Sequence, residues 1–108
     1  MPTIALRLDP RELINPDLDI RYVLPDLLVE RSGGVISDDG YDYVGECSYL
    51  IMFLKTSDVE NAVGCVLDAI ETCRVLDNDL RGSIVVAVDQ GQGYEIIYPA
   101  GFQGAFPA

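Results

Sequence analysis

The chain has 108 residues, with 18 Asp and Glu against 7 Lys and Arg, a formal net charge of −11 and no histidine. That charge excludes free nucleic acid and anionic membrane as partners, since both are polyanions, and favours a basic macromolecule. The missing histidine removes the commonest general base and the commonest metal ligand at neutral pH.

The length fits a single domain, residues 1–108, and the 49% hydrophobic content supplies a core that needs no metal or disulfide staple. No apolar run reaches the ~18 residues that cross a bilayer, and the longest, Tyr49 to Leu54, is strand-sized. Met1 to Arg7 lacks a basic region followed by an apolar one, so no signal peptide is expected and the cytoplasm is the expected location. Cys47, Cys65 and Cys73 are odd in number and form no CxxC pair. They read as reduced thiols, and no zinc site or other cofactor is expected.

Thr3 to Leu8 alternates as a strand, with Ile4, Leu6 and Leu8 on one face and Ala5 and Arg7 on the other. Asp9-Pro10 ends it. Asn15-Pro16-Asp17 marks a turn or a helix start. In residues 18–23, Leu18, Ile20 and Tyr22 alternate with Asp19 and Arg21, which favours an extended segment, while the preceding Asn-Pro favours a helical turn. The extended alternative is preferred. Pro25 at a first helical position, Asp26 in the first turn and Gly33-Gly34 as a stop predict a short helix from about residue 25 to 32.

Val35 to Val44 reads as a hairpin or a bent strand around Asp38-Asp39-Gly40. Tyr49 to Lys55 is apolar at successive positions, which predicts a central strand covered on part of both faces. Ser57-Asp58-Val59-Glu60 has the form of a capping box. Val59, Ala62, Val63, Val66, Leu67, Ile70 and Cys73 then follow the spacing of an amphipathic helix over about residues 58–74. Cys65 lies about 120° from the centre of that stripe and should be partly exposed. Leu76 to Gly82 reads as a polar loop. Ser83–Asp89 and Tyr94–Tyr98 are strands joined by Gln90-Gly91-Gln92-Gly93. Residues 100–108 form an uncharged tail with Phe102 and Phe106, which docks or frays. The order predicts an α+β fold, an antiparallel sheet with one short and one long helix. A ferredoxin-like βαββαβ core with an added C-terminal strand fits it.

No catalytic constellation emerges. EF-hand registers that place Gly82 or Gly40 at the sixth position fail at other required ligands. No serine sits in a G-x-S-x-G elbow, and no cysteine has a histidine base. Gly91-Gln92-Gly93 precedes a strand rather than a helix and lacks a lysine, so it is no phosphate loop. More suggestive are Tyr41 and Tyr43, on one face of a strand beside Asp39, Asp42 and Glu46. Tyrosines among carboxylates suit arginines and lysines through cation–π contacts and charge-assisted hydrogen bonds. The alternative is that the two rings simply cover the sheet.

The chain resembles the small acidic α+β immunity proteins of bacterial polymorphic-toxin and contact-inhibition systems. The resemblance lies in Leu8-Asp9-Pro10, in Asn15-Pro16-Asp17-Leu18-Asp19-Ile20-Arg21-Tyr22, in Ser37-Asp38-Asp39-Gly40-Tyr41-Asp42-Tyr43, and in the apolar strand and amphipathic helix that follow. It implies a non-catalytic inhibitor that binds a cognate toxin, often a basic nuclease, one to one. Asp38, Asp39, Tyr41, Asp42, Tyr43 and Glu46 are then the expected contact face. A second expectation is a ligand-binding or regulatory module that pairs with itself as a homodimer. An enzyme using carboxylates or tyrosines is the third. Acidity that serves only solubility would instead scatter carboxylates over the whole surface.

Overall fold

The computed structural model describes residues 1–17, 19–44, 49–99 and 102. The expectations for Glu46, Cys47 and most of the tail fall outside them. Alternating aliphatic residues make strand β1 (Thr3–Leu8). Asp9 caps a single 3-10 turn, Pro10–Glu12, by accepting the Arg11 N–H at 3.0 Å.

Helix α1 (Ile20–Arg31) begins five residues earlier than expected, and residues 20–23 are helical rather than extended. Asp17 winds the chain into it. Its carboxylate accepts the Asp19 N–H at 2.9 Å, and its carbonyl accepts the Ile20 N–H at 3.2 Å. Pro25 stands inside the helix, not at its first position. An interior proline costs about 3 kcal/mol, because it removes a helical hydrogen bond and crowds the preceding turn. The offset is burial of Ile20, Leu24 and Leu28 at four-residue spacing, each worth roughly 1.5–3 kcal/mol. The helix stops where expected. Gly33 takes a φ of 63° and donates its N–H to Glu30, while Gly34 donates to Val29, the paired bonds of a Schellman cap.

Strand β2 (Ile36–Val44) is one bent strand, so the hairpin alternative is overturned. Gly40, with a φ of 93°, lies in an irregularity between Asp38 and Tyr41, and its N–H is held by the Asp38 carboxylate at 2.9 Å. Strand β3 (Tyr49–Thr56) follows, then helix α2 (Val59–Thr72). The α2 cap is Asp58, one residue beyond the Ser57 of the expected box, and accepts the Asn61 N–H at 3.2 Å.

The expected polar loop after α2 is a small hairpin, β4 (Arg74–Val75) and β5 (Asn78–Asp79). Its two-residue turn puts Leu76 and Asp77 at φ values of 49° and 67°, where Asn-Gly is the usual sequence. Val75, Asn78 and Leu80 are buried. Asn78 acts as a clamp: its carboxamide accepts the Asn15 N–H at 2.8 Å and donates to the Asn15 carbonyl at 2.8 Å. Asn15 in turn donates to the Leu76 carbonyl at 3.1 Å. Strands β6 (Ile84–Asp89) and β7 (Tyr94–Tyr98) complete the chain order.

The main sheet runs β2-β3-β1-β6-β7, with every neighbouring pair antiparallel. Its first four strands have the order of a ferredoxin-like βαββαβ core, and β7 adds an edge. The fold is α+β, as the element order predicted. Both helices pack on one face, where Ile4, Leu6 and Leu8 meet Leu24, Leu28, Val66 and Ile70 in a single core. No helix among the described residues is long and apolar enough to cross a membrane.

The clamp yields a stability prediction. Asn78→Ala leaves the Asn15 backbone groups unpaired and should cost about 2–3 kcal/mol in urea denaturation. A loss under about 0.5 kcal/mol, the size of an ordinary surface substitution, would show that the hairpin and the 13–17 segment are not coupled this way.

Candidate functional site

Register divides the expected contact residues between two sides of β2. Tyr41 and Tyr43 stand opposite Met52 and Leu50, and Asp38 opposite Leu54, all on the helix side. Asp42 stands opposite Ile51, on the outer side. Asp39 pairs with Lys55 at 3.7 Å, and Lys55 belongs to the outer side too. The two tyrosines do share one face, with ring centroids 6.0 Å apart and planes at 81°.

Helix α1 adds two residues that the sequence did not single out. Tyr22 meets Tyr41 edge to face, with centroids 5.8 Å apart and hydroxyls 3.5 Å apart. The Arg21 guanidinium lies 4.7 Å from the Tyr22 ring centroid and 5.3 Å from that of Tyr41. The chain's own cation therefore occupies ring faces that the sequence offered to a partner. What remains outward is a pair of phenol rims with Val23 beside them. Tyr22 is 46% exposed and Tyr41 40%.

The hydroxyl pair is electrostatically uneven. Hydrogen bonds from Tyr41 and Arg21 stabilise the Tyr22 phenolate and lower its pKa, while Asp19 opposes the shift weakly. The Tyr41 pKa is raised, because its hydroxyl is committed to Tyr22 and the Tyr22 charge repels a second one.

Most aspartates have a local task. Asp9, Asp17, Asp38, Asp42, Asp58, Asp79 and Asp89 each accept at least one nearby backbone N–H. Such bonds fix turns and helix starts whatever the function. Exposed carboxylates also occur along α1 and α2, at Asp26, Glu30, Glu60, Asp68 and Glu71. The acidity is thus spread over helices, turns and the β2 edge, the distribution expected of a solubility role. Asp79 is the most perturbed: the Arg81 side chain, 2.6 Å away, holds its pKa at about 2.

Depressions also lie elsewhere among the described residues. One, of about 620 Å³, is an open groove bordered by Arg31, Glu60, Gly64, Cys65 and Asp68. Burial pushes the Cys65 thiol up, with Arg31 opposing more weakly, so the group is protonated at neutral pH. Cys65 is half-buried, as the helical spacing predicted, and Cys73 packs against the core. Another, of about 490 Å³, opens beside Arg7, Tyr49 and Phe102. Among the described residues no three Asp, Glu or Cys side chains converge as a metal site. Comparison of the chain with protein-family models, curated proteins and solved structures returns no match.

The tyrosine pair can be tested by following ring-carbon shifts in an NMR titration. Tyr22 should lose its proton below the ordinary tyrosine range and Tyr41 above it. Arg21→Ala should move the Tyr22 midpoint upward, since it removes a group that favours the phenolate. Identical, unshifted midpoints would contradict the contact.

Proposed function

We propose that this chain is a non-catalytic binding protein of the immunity or inhibitor type, which neutralises a basic protein partner such as a toxin nuclease. The observation that carries the reading is the exposed Tyr22–Tyr41 pair, set by two different elements and held from one side by Arg21. Tyrosine and arginine dominate the energetics of protein interfaces, and rings already fixed in place lose little entropy on docking. Asp19 and Asp38 border the pair from α1 and β2, and Asp39 and Asp42 lie on the outer side of the same edge strand. A basic surface would meet carboxylates around a tyrosine centre.

The −11 net charge plays a different part in this reading. Spread over the molecule, it steers a basic partner at long range and makes association salt-sensitive, while the tyrosine face supplies the short-range fit. Steering does not require the carboxylates to cluster. The reading implies action in the cytoplasm, with no cofactor and no bond-making step.

The test is a pull-down from source-cell lysate at low and high salt, followed by affinity measurement on the captured protein. One basic partner, weakened by salt, is expected. Tyr41→Ala or Tyr22→Ala should cost about 2 kcal/mol, roughly thirtyfold in Kd. Asp77→Asn, in the β4–β5 turn, should cost far less. Equal losses from Tyr41→Ala and Asp77→Asn would sink the tyrosine-centred reading. A bait that captures nothing and elutes as a dimer would favour the self-associating module.

A further inference from the structure

An arginine stands in the middle of the sheet. Arg7 of β1 lies opposite Ile51 of β3 and Val85 of β6, on the face turned away from both helices. It is only 8% exposed. Its neighbours in that row are aliphatic, and an aliphatic residue at position 7 would fill the row with no charge to desolvate. The guanidinium lies instead over two rings, 4.6 Å from the centre of Tyr49 and 5.4 Å from that of Phe102. Stacked rings hold the plane of a guanidinium, and its N–H donors point outward within that plane.

Arg7 lines a cavity of about 490 Å³. Small-molecule sites span roughly 300–1,000 Å³ and combine apolar walls with a few polar groups. Here Tyr49, Val85, Pro99 and Phe102 supply the apolar walls. Asp9, Glu12 and Arg81 bring further charge. Two of these are tied to neighbours. Asp9 accepts two bonds from the Arg11 guanidinium at 2.9 and 3.0 Å, and Arg81 holds Asp79 at 2.6 Å. Glu12 is exposed and makes no ion pair among the described residues. The cavity thus has a cationic pole at Arg7 and an anionic pole at Glu12. A bare anion would meet repulsion from the carboxylates, and a bare amine from the guanidinium groups. A molecule that carries both charges suits both poles.

We propose that this cavity binds a free α-amino acid with an apolar side chain. Its carboxylate accepts from the Arg7 guanidinium, its ammonium faces Glu12, and its side chain packs on Val85, Pro99 and Phe102. Arginine suits the first contact because its paired donors match a carboxylate. The site lies on the opposite side of the sheet from Tyr41 and does not rest on the proposed inhibitor reading.

The test uses the full chain, isotope-labelled, with L-phenylalanine and L-leucine as probes. Saturable shifts are expected at the Arg7 side-chain N–H and at the Gly82 and Ser83 amides. L-phenylalaninamide, which lacks the carboxylate, and 3-phenylpropionate, which lacks the ammonium, should each bind about tenfold more weakly, the size of one lost charge-assisted bond. Glu12→Gln should weaken L-phenylalanine by a similar factor and leave 3-phenylpropionate unchanged. Arg7→Gln should abolish binding of both. No saturable shift with either amino acid at millimolar concentration would overturn the proposal. So would 3-phenylpropionate binding as tightly as L-phenylalanine, or a Glu12→Gln protein that binds L-phenylalanine unchanged. The ligand series and the exposed Glu12 variant leave the buried arginine in place, so they decide the matter even if Arg7→Gln fails to fold.

Discussion

Ile4, Leu6 and Leu8 stand opposite Leu54, Met52 and Leu50 on one side of β1, and opposite Val88, Val86 and Ile84 on the other. These cross-strand rows form a block of aliphatic side chains on one face of the sheet, and both helices pack against it. A slip of one residue would turn Ala5 and Arg7 into the core and the leucines out of it, which fixes the register strongly. From that register follow the positions of the edges, β2 and β7, and the face on which α1 must lie. The contact between Tyr22 and Tyr41 is a consequence: α1 buries Ile20, Leu24 and Leu28 and thereby carries Tyr22 to the rim above β2.

The carboxylates serve the fold before they serve any partner. A chain with many short turns needs acceptors for backbone N–H groups that no ladder satisfies, and aspartate supplies them from residue to residue. Along β2 the acidic side chains have a second effect, because charge on an edge strand opposes pairing with another sheet. Such roles account for individual aspartates without a ligand. They do not account for two tyrosines and an arginine held together at the surface, and for that reason the proposed interface centres on the rings.

The elements with clean periodicity were legible in the sequence. Thr3–Leu8 and the α2 stripe follow single patterns, and the Gly33-Gly34 stop has the one conformation that glycine there favours. The start of α1 was not legible. Leu18, Ile20 and Tyr22 alternate as in a strand, and Pro25 resembles a first-turn proline. Burial of Ile20, Leu24 and Leu28 overrode both local signals. The four-residue spacing of those three was the signal that could have revealed the helix, and with it Tyr22 and Arg21 as partners of Tyr41. The β4–β5 hairpin was hidden because Leu76-Asp77 lacks the usual turn residues and because Asn78, a polar residue, is buried by bonding to a segment 63 positions away.

The claim that the tyrosine face, rather than the charge at large, selects a basic partner is open to one direct measurement. An arginine-rich peptide titrated into isotope-labelled protein at moderate salt would report, amide by amide, where a cationic chain settles. The account predicts shifts concentrated at residues 19–23 and 38–43, lost in Tyr41→Ala while the net charge is unchanged. Small shifts spread over every acidic turn, indifferent to Tyr41 and removed uniformly by salt, would contradict it and leave the acidity as a property of the whole surface.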